Sequence, residues 1–392
     1  MDPNLNPYSP GAGSRPPELA GRDLILSSCQ VALTRTSKGA APRGLLLTGL
    51  RGVGKTVLLN VVRDQATEQN FLVDLIEAPE GSPLAPLIIP SLRKALLRLS
   101  VQSHAKDLVE RALRVLKSFQ LSANLGGTDF ALKFDPELGV ADSGNLELDL
   151  PDLFESVGEA AKASGRGVAL LIDEIQYIGA SDLSALIVAS HRAVQRQLPL
   201  IVMGAGLPSL PGLMGDAKSY AERLFLYPKI GALNFEDAAL ALTEPAGELG
   251  VTFSNDALKK IYNTTKGYPY FVQEWGSVLW DISEGPEITA DDVRNARTEA
   301  TRRLDESFFQ VRLDRVTDAE QKYMRAMAEL GTGPYRSGEV AKLLGKSTNS
   351  YGPVRDGLIR KGMIYSPKHG VLEFTVPLFD EFMKRTMPEI NH

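Results

Sequence analysis

Eight consecutive residues, GLRGVGKT, carry the clearest chemical signal in this chain of 392 residues. They match the pattern G-x-x-x-x-G-K-[ST], with Gly49, Gly54, Lys55 and Thr56 at its defined positions. Glycines allow successive backbone N–H groups to point at phosphate oxygens, and a following helix adds its positive N-terminal end. A chain of this length and average composition matches the pattern by chance about one time in a hundred. The segment therefore predicts a phosphate-binding loop.

The side chains of this loop predict ATP and its Mg²⁺ ion as the ligands. Lys55 is expected to reach the β and γ phosphates, and the Thr56 hydroxyl is expected to ligate Mg²⁺. The loop follows the apolar residues 45–47 and precedes the helical run 57–62, which is the strand–loop–helix setting that the motif requires. The residues predicted to bind nucleotide here are Gly49, Leu50, Arg51, Gly52, Val53, Gly54, Lys55, Thr56 and Val57.

Two carboxylates at the end of an apolar run are the second chemical signal. Residues 168–172 are apolar throughout, which is typical of a strand buried on both faces, and we expect a central strand. Mg²⁺ prefers oxygen ligands, so Asp173 is predicted to hold the ion, usually through water. Glu174 is the candidate base for the water that attacks the γ-phosphate. Acidic residues at the end of a strand do not by themselves indicate a magnesium site. The pair predicts one here because a phosphate-binding loop precedes it in the chain.

The alternation of short apolar runs with amphipathic stretches predicts an α/β fold with a parallel sheet. The expected strands are residues 44–48, 71–77, 168–172, 200–203 and 226–230. Between the second and third strands we expect a helical segment over 86–119 and a hairpin or extended insertion over 120–150. That insertion is either a partner-binding loop or passive. After residue 230 the strands are expected to stop, and four helices predict a lid over 235–249, 254–264, 270–282 and 290–309.

The C-terminal residues have the element order of a winged helix. Helices are predicted over 318–330, 337–344 and 350–361, followed by a hairpin over 363–375. If the domain reads duplex DNA, residues 346–369 carry the contacts. The candidates are Lys346, Ser347, Thr348, Asn349, Ser350, Tyr351 and Arg355 for the groove and Lys361, Lys368 and His369 for phosphates.

The charge distribution leaves the partner of this domain open. From Arg312 onward there are 13 Lys and Arg against 10 Asp and Glu, a local charge of +3 within a chain whose net charge is −5. A surplus of three is modest for a DNA-binding surface. Because winged helices also contact proteins, a protein partner is the alternative.

The phosphate-binding loop and the Asp173–Glu174 pair resemble those of AAA-type ATPases. The likeness is to the branch of origin-recognition-like and archaeal-type ATPases that borders the STAND NTPases. Residues 19–23, LAGRD, resemble the Gly-Arg-acidic box near the adenine, which implies that Arg22 binds nucleotide. Residues 267–269, GYP, resemble the Gly-x-Pro element, which implies that Pro269 lies near the base.

The resemblance also implies a role for Arg223, and this chain departs from the family pattern at one position. Arg223 matches in position the arginine that such ATPases present to the γ-phosphate, in its own subunit or a neighbour, and its guanidinium suits that role. The alternative is a salt bridge at the sheet edge. Where the family has a polar residue at the end of the fourth strand, residues 202–209 read VMGAGLPS, so only a backbone amide or Ser209 could substitute. Slow hydrolysis is therefore expected.

Composition limits the remaining possibilities. Cys29 is the only cysteine, which excludes an internal disulfide and a thiolate zinc cluster. The chain has no apolar run of membrane-spanning length and no secretory signal at its start, so a cytoplasmic protein without a membrane partner is expected.

The predicted organisation is a flexible tail over 1–20, an AAA-like ATP-binding core over 21–232, a helical lid over 233–309 and a winged helix over 310–392. The predicted function is ATP binding and hydrolysis by a regulatory ATPase whose nucleotide state controls a DNA or protein partner, with a homo-oligomer as a further option. One alternative is a STAND-like nucleotide switch with little hydrolysis and a protein-binding winged helix. The other, a small-molecule kinase, lacks an acceptor-binding motif.

Overall fold

The computed structural model describes residues 1–11, 13–100, 105–123, 135–345 and 347–389. The chain divides into two compact units. The first consists of Met1–Asp23, Gly49–Val57 and Ile230–His392, and the second of Leu24–Thr48 and Leu58–Lys229.

The second unit contains a five-stranded parallel sheet. Its strands are β1 Gly44–Thr48, β2 Phe71–Glu77, β3 Gly167–Asp173, β4 Leu200–Gly206 and β5 Phe225–Leu226. Their order is β2-β3-β4-β1-β5, and every pairing is parallel. The predicted α/β class is confirmed. β3 is an interior strand, as expected, although β4 occupies the middle of the sheet.

The fifth strand is shorter than predicted. It ends at Leu226 because Pro228 has no N–H group to donate to a ladder, although the Pro228 carbonyl accepts from Thr48 N at 2.8 Å. Lys229 adds only an isolated bridge to Thr48.

Alternate residues of the strands face two different apolar layers. In β3, Leu170 and Ile172 pack into the larger core with helices α3 to α6, whereas Ala169 and Leu171 pack into the smaller core with α1 and α2. The helices up to β5 are α1 Asp23–Ser37, α2 Lys55–Glu68, α3 Leu84–Leu99, α4 Lys106–Ser122, α5 Leu146–Ala163, α6 Ala180–Gln195, α7 Leu210–Ala217 and α8 Ala221–Leu224. All seven residues of β3 and of β4 are buried, as expected for strands covered on both faces.

The region between β2 and β3 differs from its prediction. The single helical segment over 86–119 is two helices, α3 and α4. The hairpin predicted over 120–150 falls partly on residues 124–134, which lie outside the described residues. Its last residues are helical, because the Asn145 side chain accepts from Glu147 N at 3.0 Å and caps the start of α5.

In the first unit, four helices follow residue 230, as the lid prediction requires. They are α9 Phe235–Gly247, α10 Asn255–Thr265, α11 Pro269–Ile282 and α12 Ala290–Leu304. Two short strands, β6 Thr252–Phe253 and β7 Glu287–Ile288, also pair in parallel, so strands do not stop at residue 230. After α12 the chain continues through a π-helical turn, Asp305–Gln310, into the short helix α13, Val311–Leu313.

The C-terminal residues have the element order predicted for a winged helix. The elements are α14 Asp318–Glu329, β8 Tyr335–Arg336, α15 Ser337–Leu343, α16 Gly352–Arg360, β9 Ile364–Lys368, β10 Val371–Phe374 and α17 Phe379–Thr386. The three strands form an antiparallel sheet in the order β8-β10-β9. The predicted third helix starts at Gly352, because Thr348–Tyr351 is a 3-10 turn.

The N-terminal residues, expected to form a flexible tail, are bound to the lid. Tyr8 is 5% exposed and its hydroxyl donates to Leu242 O at 2.6 Å. Trp280 Nε1 donates to Asp2 O at 2.8 Å, and Asn6 Nδ2 donates to Asp281 Oδ1 at 2.9 Å. The buried tyrosine ring and these hydrogen bonds order a segment that its Pro-rich composition alone marks as a tail.

None of the described helices is long and apolar enough to cross a membrane.

Candidate nucleotide-binding site

The phosphate-binding loop has the backbone that its glycines predict. Gly52 and Gly54 have φ of 81° and 92°, in the left-handed region that glycine adopts without strain. A Cβ on Gly54 would meet no described atom within 4 Å, so open space lies beside the loop at this position. At Gly49, a Cβ would lie 2.3 Å from Ile230 O, so only glycine fits. The loop therefore fits a phosphate group in its concave side.

Lys55 places a positive charge inside this loop. It is the first residue of α2, is 5% exposed, and its Nζ donates to Gly49 O and Leu50 O at 2.9 Å each. Thr56, the next residue, is exposed. A buried ammonium beside the N-terminus of a helix suits an anionic phosphate chain.

Arg22 lies against the phosphate-binding loop. Its Nη2 donates to Gly231 O at 2.7 Å and to Val53 O at 3.5 Å. Burial lowers the pKa of the Arg22 guanidinium, and the negative charge of Asp237 partly opposes that shift. The position of Arg22 agrees with a role near bound nucleotide, which stays a prediction.

The residues beside Pro269 also contact the loop. Pro269 is the first residue of α11. The hydroxyl of Tyr268 donates to Arg51 O, and Tyr270 N donates to Gly52 O at 3.3 Å. The start of α11 therefore lies beside the middle of the phosphate-binding loop.

The predicted carboxylates end β3 in the second unit. Asp173 is 4% exposed, and its Oδ1 accepts from Glu174 N at 2.9 Å. Glu174 has φ of 51° and is partly exposed. Its carboxylate accepts from Gln176 Nε2, while Gln176 Oε1 accepts from Leu207 N at 3.1 Å. Gln176 thus connects the candidate base to the turn after β4.

Gln176 was missed by the sequence analysis, which sought a polar residue at the end of β4 itself. In the structure the polar group is the Gln176 side chain, from the segment after β3, and it accepts a hydrogen bond from the backbone of the turn after β4. The only sequence signal for Gln176 was its position two residues after Glu174. That spacing does not indicate a contact with the turn after β4 unless the order of the strands is known.

Arg223 lies in α8 and is exposed. In the described part of the chain it forms no ion pair, so the alternative of a salt bridge at the sheet edge is not what the structure contains. Its role toward a γ-phosphate stays a prediction.

The described residues form no preformed cage of protein ligands for a metal. Among the described residues, no three His, Cys, Asp or Glu side chains group together in a way that could hold an ion. The Thr56 hydroxyl and the Asp173 carboxylate are oxygen donors of the kind that Mg²⁺ prefers. Their role in holding an ion that arrives with the nucleotide stays a prediction.

Comparison with known proteins agrees with this geometry. A family model described as an AAA ATPase domain matches residues 18–203. These residues form an AAA-type ATPase domain. A second model, described as a domain of unknown function, matches residues 306–383. The comparison with curated proteins gave no match.

Two solved structures share the fold of this chain over nearly its whole length. A Walker-type ATPase of Pyrococcus abyssi superimposes with a TM-score of 0.56 at 15% identity, over 94% of this chain and 97% of the other. The ORC2 protein of Aeropyrum pernix in its ADP form superimposes with a TM-score of 0.55 at 14% identity, over 99% of both chains. At such identities the likeness is one of fold.

In the C-terminal region, residues 306–383, two predicted DNA contacts form ion pairs within the chain. Lys361 Nζ pairs with Glu320 Oε2 at 2.6 Å, and Arg355 pairs with Asp356 at 3.3 Å. Lys361 therefore already has an anionic partner, and its role as a phosphate contact stays a prediction.

The remaining predicted DNA contacts differ in their surroundings. Tyr351 packs on Tyr323 with ring centroids 5.5 Å apart. Lys368 and His369, at the tip of the β9–β10 hairpin, are exposed. Lys346 lies outside the described residues.

The C-terminal region also contacts the phosphate-binding loop. Thr375, fully buried just after β10, accepts a hydrogen bond from Arg51 N at 2.9 Å through its carbonyl oxygen. Its hydroxyl donates to Gly362 O at 2.6 Å. No sequence pattern marks Thr375, because the contact depends on how the chain folds back onto the loop.

Proposed function

We propose that this protein binds and hydrolyses ATP through its AAA-type domain. The observation that carries the proposal is the loop at residues 49–56, whose left-handed glycines leave open space and whose Lys55 ammonium is buried inside it. A phosphate chain supplies the anionic oxygens that backbone N–H groups and this ammonium would bind.

In the proposed reaction, Lys55 binds the β and γ phosphates and moderates the charge that develops on transfer. Glu174 orients the attacking water, and its hydrogen bond from Gln176 restrains the carboxylate. Bound Mg²⁺ would supply further charge neutralisation at the phosphate oxygens, with Thr56 and Asp173 as the residues to hold it. Arg223 is the proposed additional cation, supplied in the same subunit or to a neighbouring one.

The direct test is to measure ATP binding by calorimetry and phosphate release by a coupled assay for the wild type and for Lys55→Ala. The variant should bind ATP far more weakly, because the β and γ oxygens lose their mobile cationic partner. Equal ATP affinity of the two proteins would remove the phosphate-binding loop from the function. Release of phosphate without a phosphorylated product would separate the ATPase from the alternative of a small-molecule kinase.

The contact between Arg51 and Thr375 supports a regulatory role for this ATPase. The third residue of the phosphate-binding loop is hydrogen-bonded to the C-terminal region, so a change in the loop on nucleotide binding would be transmitted to that region. Nucleotide state would thereby control a partner of the C-terminal region. An increase of ATP turnover on addition of duplex DNA would identify DNA as that partner.

The Lys361–Glu320 ion pair favours the alternative of a protein partner, because it lowers the positive charge available to DNA. A STAND-like switch would bind ATP and release little phosphate with or without DNA.

A further inference from the structure

Arg312 is a partly buried cation whose Nε atom lies away from solvent. It lies in α13, directly after the π-helical turn, and its Cζ is 4.0 Å from the centroid of the Phe308 ring. Its Nη1 donates to Phe308 O, while its Nε is buried and has no hydrogen-bond partner. π-helical turns are rare and often occur at functional sites.

The charges that act on Arg312 include other cations. Burial, and after it the positive charge of Arg51, lower the pKa of Arg312 to about 10, so the group remains charged at neutral pH. Tyr268 and Tyr270 oppose that shift in pKa, and Arg315 adds to it. In the part of the chain that the structure describes, no carboxylate pairs with Arg312. Buried charges normally have a counter-charge, so a cation beside a second cation is an unfavourable arrangement that a bound anion would relieve.

The Phe308 ring lies next to both Arg312 and the phosphate-binding loop. Phe308, on which the guanidinium stacks, has its Cζ 3.2 Å from the position of a Cβ on Gly52. Tyr270 stacks on the same ring with centroids 4.5 Å apart and donates its backbone N–H to Gly52 O. Arg51, whose charge acts on Arg312, is the neighbouring residue of the loop. The loop that the proposed function assigns to phosphates therefore lies next to this cation.

We propose that Arg312 is a phosphate ligand of the nucleotide site, supplied by the C-terminal region rather than by the AAA-type domain. The proposal rests on the proposed function and adds a binding residue to it. A guanidinium offers several N–H donors in a fixed geometry that matches phosphate oxygens, and the anion would offset the repulsion between Arg51 and Arg312. Together with the Arg51–Thr375 hydrogen bond, this ligand makes the C-terminal region part of the nucleotide site.

The test uses the full chain and measures Kd for ATP, ADP and AMP, each with Mg²⁺, for the wild type, Arg312→Gln and Arg312→Lys. Arg312→Gln should raise Kd for ATP roughly tenfold to hundredfold, the usual effect of losing a hydrogen bond to a charged group. Arg312→Lys should give an intermediate Kd, because it keeps the charge and loses the fork of donors. If Arg312→Gln has a raised Kd for ATP and an unchanged Kd for ADP, Arg312 contacts the γ-phosphate. If the Kd for ADP is raised as well and the Kd for AMP is unchanged, Arg312 contacts the β-phosphate.

Arg360→Gln is the matched control, since it removes an exposed arginine of the same region at the end of α16, and its Kd for ATP should equal that of the wild type. Thermal unfolding without nucleotide separates ligand binding from packing. Arg312→Gln should unfold at or above the wild-type temperature, because the lost cation had no counter-charge. A lower unfolding temperature with unchanged Kd for all three nucleotides would overturn the proposal and make Arg312 a packing residue.

Different experimental results would refute the proposed function and the role of Arg312. If the wild type binds ATP, Lys55→Ala does not, and both Arg312 variants bind as the wild type does, only the role of Arg312 is refuted. If the wild type binds no nucleotide, both proposals fall together.

Discussion

Replacement of single glycines in the phosphate-binding loop by alanine should separate backbone strain, crowding and loss of nucleotide binding. Gly52, Gly54 and Gly250 all belong to the first unit and have φ of 81°, 92° and 75°. Alanine in the left-handed region costs roughly 1–2 kcal/mol, and this cost is common to the three variants. Gly250 follows α9, away from the loop in sequence, so Gly250→Ala is the control for backbone strain alone.

The three positions differ in what a new methyl group would meet. At Gly54 and Gly250 no described atom lies within 4 Å of the Cβ position. At Gly52 the methyl would lie 3.1 Å from Tyr268 Cε1 and 3.2 Å from Phe308 Cζ, closer than carbon atoms normally pack. Displacing two rings in a packed cluster adds roughly 1–3 kcal/mol. Gly52→Ala should therefore lose roughly 2–5 kcal/mol of unfolding free energy, and each of the other two variants roughly 1–2 kcal/mol.

The assays are chemical denaturation without ligand and calorimetric titration with ATP and Mg²⁺. Gly54→Ala should match Gly250→Ala in stability but lose ATP affinity, because its methyl group occupies the space assigned to phosphate. ATP binding by Gly54→Ala as tight as that of Gly250→Ala would refute the assignment of the open space to phosphate. Equal stability of Gly52→Ala and Gly250→Ala would refute the crowding at Gly52.

Three further outcomes are expected. Glu174→Gln should keep ATP bound while phosphate release stops, because the amide preserves shape but cannot accept a proton; unchanged turnover would remove Glu174 from the mechanism. ATP with Mg²⁺ should raise the unfolding temperature more than GTP does, since only the folded protein binds nucleotide, and equal shifts would count against an adenine-selective site near Arg22 and Pro269. If DNA is the partner, the ATP-loaded chain should bind duplex DNA with an affinity that falls as salt rises. Lys368→Ala should then lower the slope of log affinity against log salt by about 0.9, and Lys361→Ala, already paired with Glu320, should change it little; a salt-independent signal, or none, would favour a protein partner.

Local patterns in the sequence were sufficient for the elements of the site. β1 and β2 have the bounds that their apolar runs predicted, and the strand–loop–helix arrangement at residues 44–68 follows from the motif. Helices α9, α10 and α12 follow a residue type that favours a helix start, since Asn234, Ser254 and Thr289 each accept a hydrogen bond from a backbone N–H of the first turn. These features depend on residues only a few positions apart, and such interactions can be read from a single sequence.

What only the tertiary structure decided depends on residues far apart in the chain. Composition alone indicated a flexible start, yet Tyr8 is buried against α11 because a Gly276 without a side chain leaves room for its ring. The sheet order brings Gln176 to the turn after β4, and the return of the C-terminal region brings Thr375 and Arg312 to the phosphate-binding loop. None of these residues belongs to a motif, because each acts through a partner that the packing of the fold, rather than spacing along the chain, places beside it.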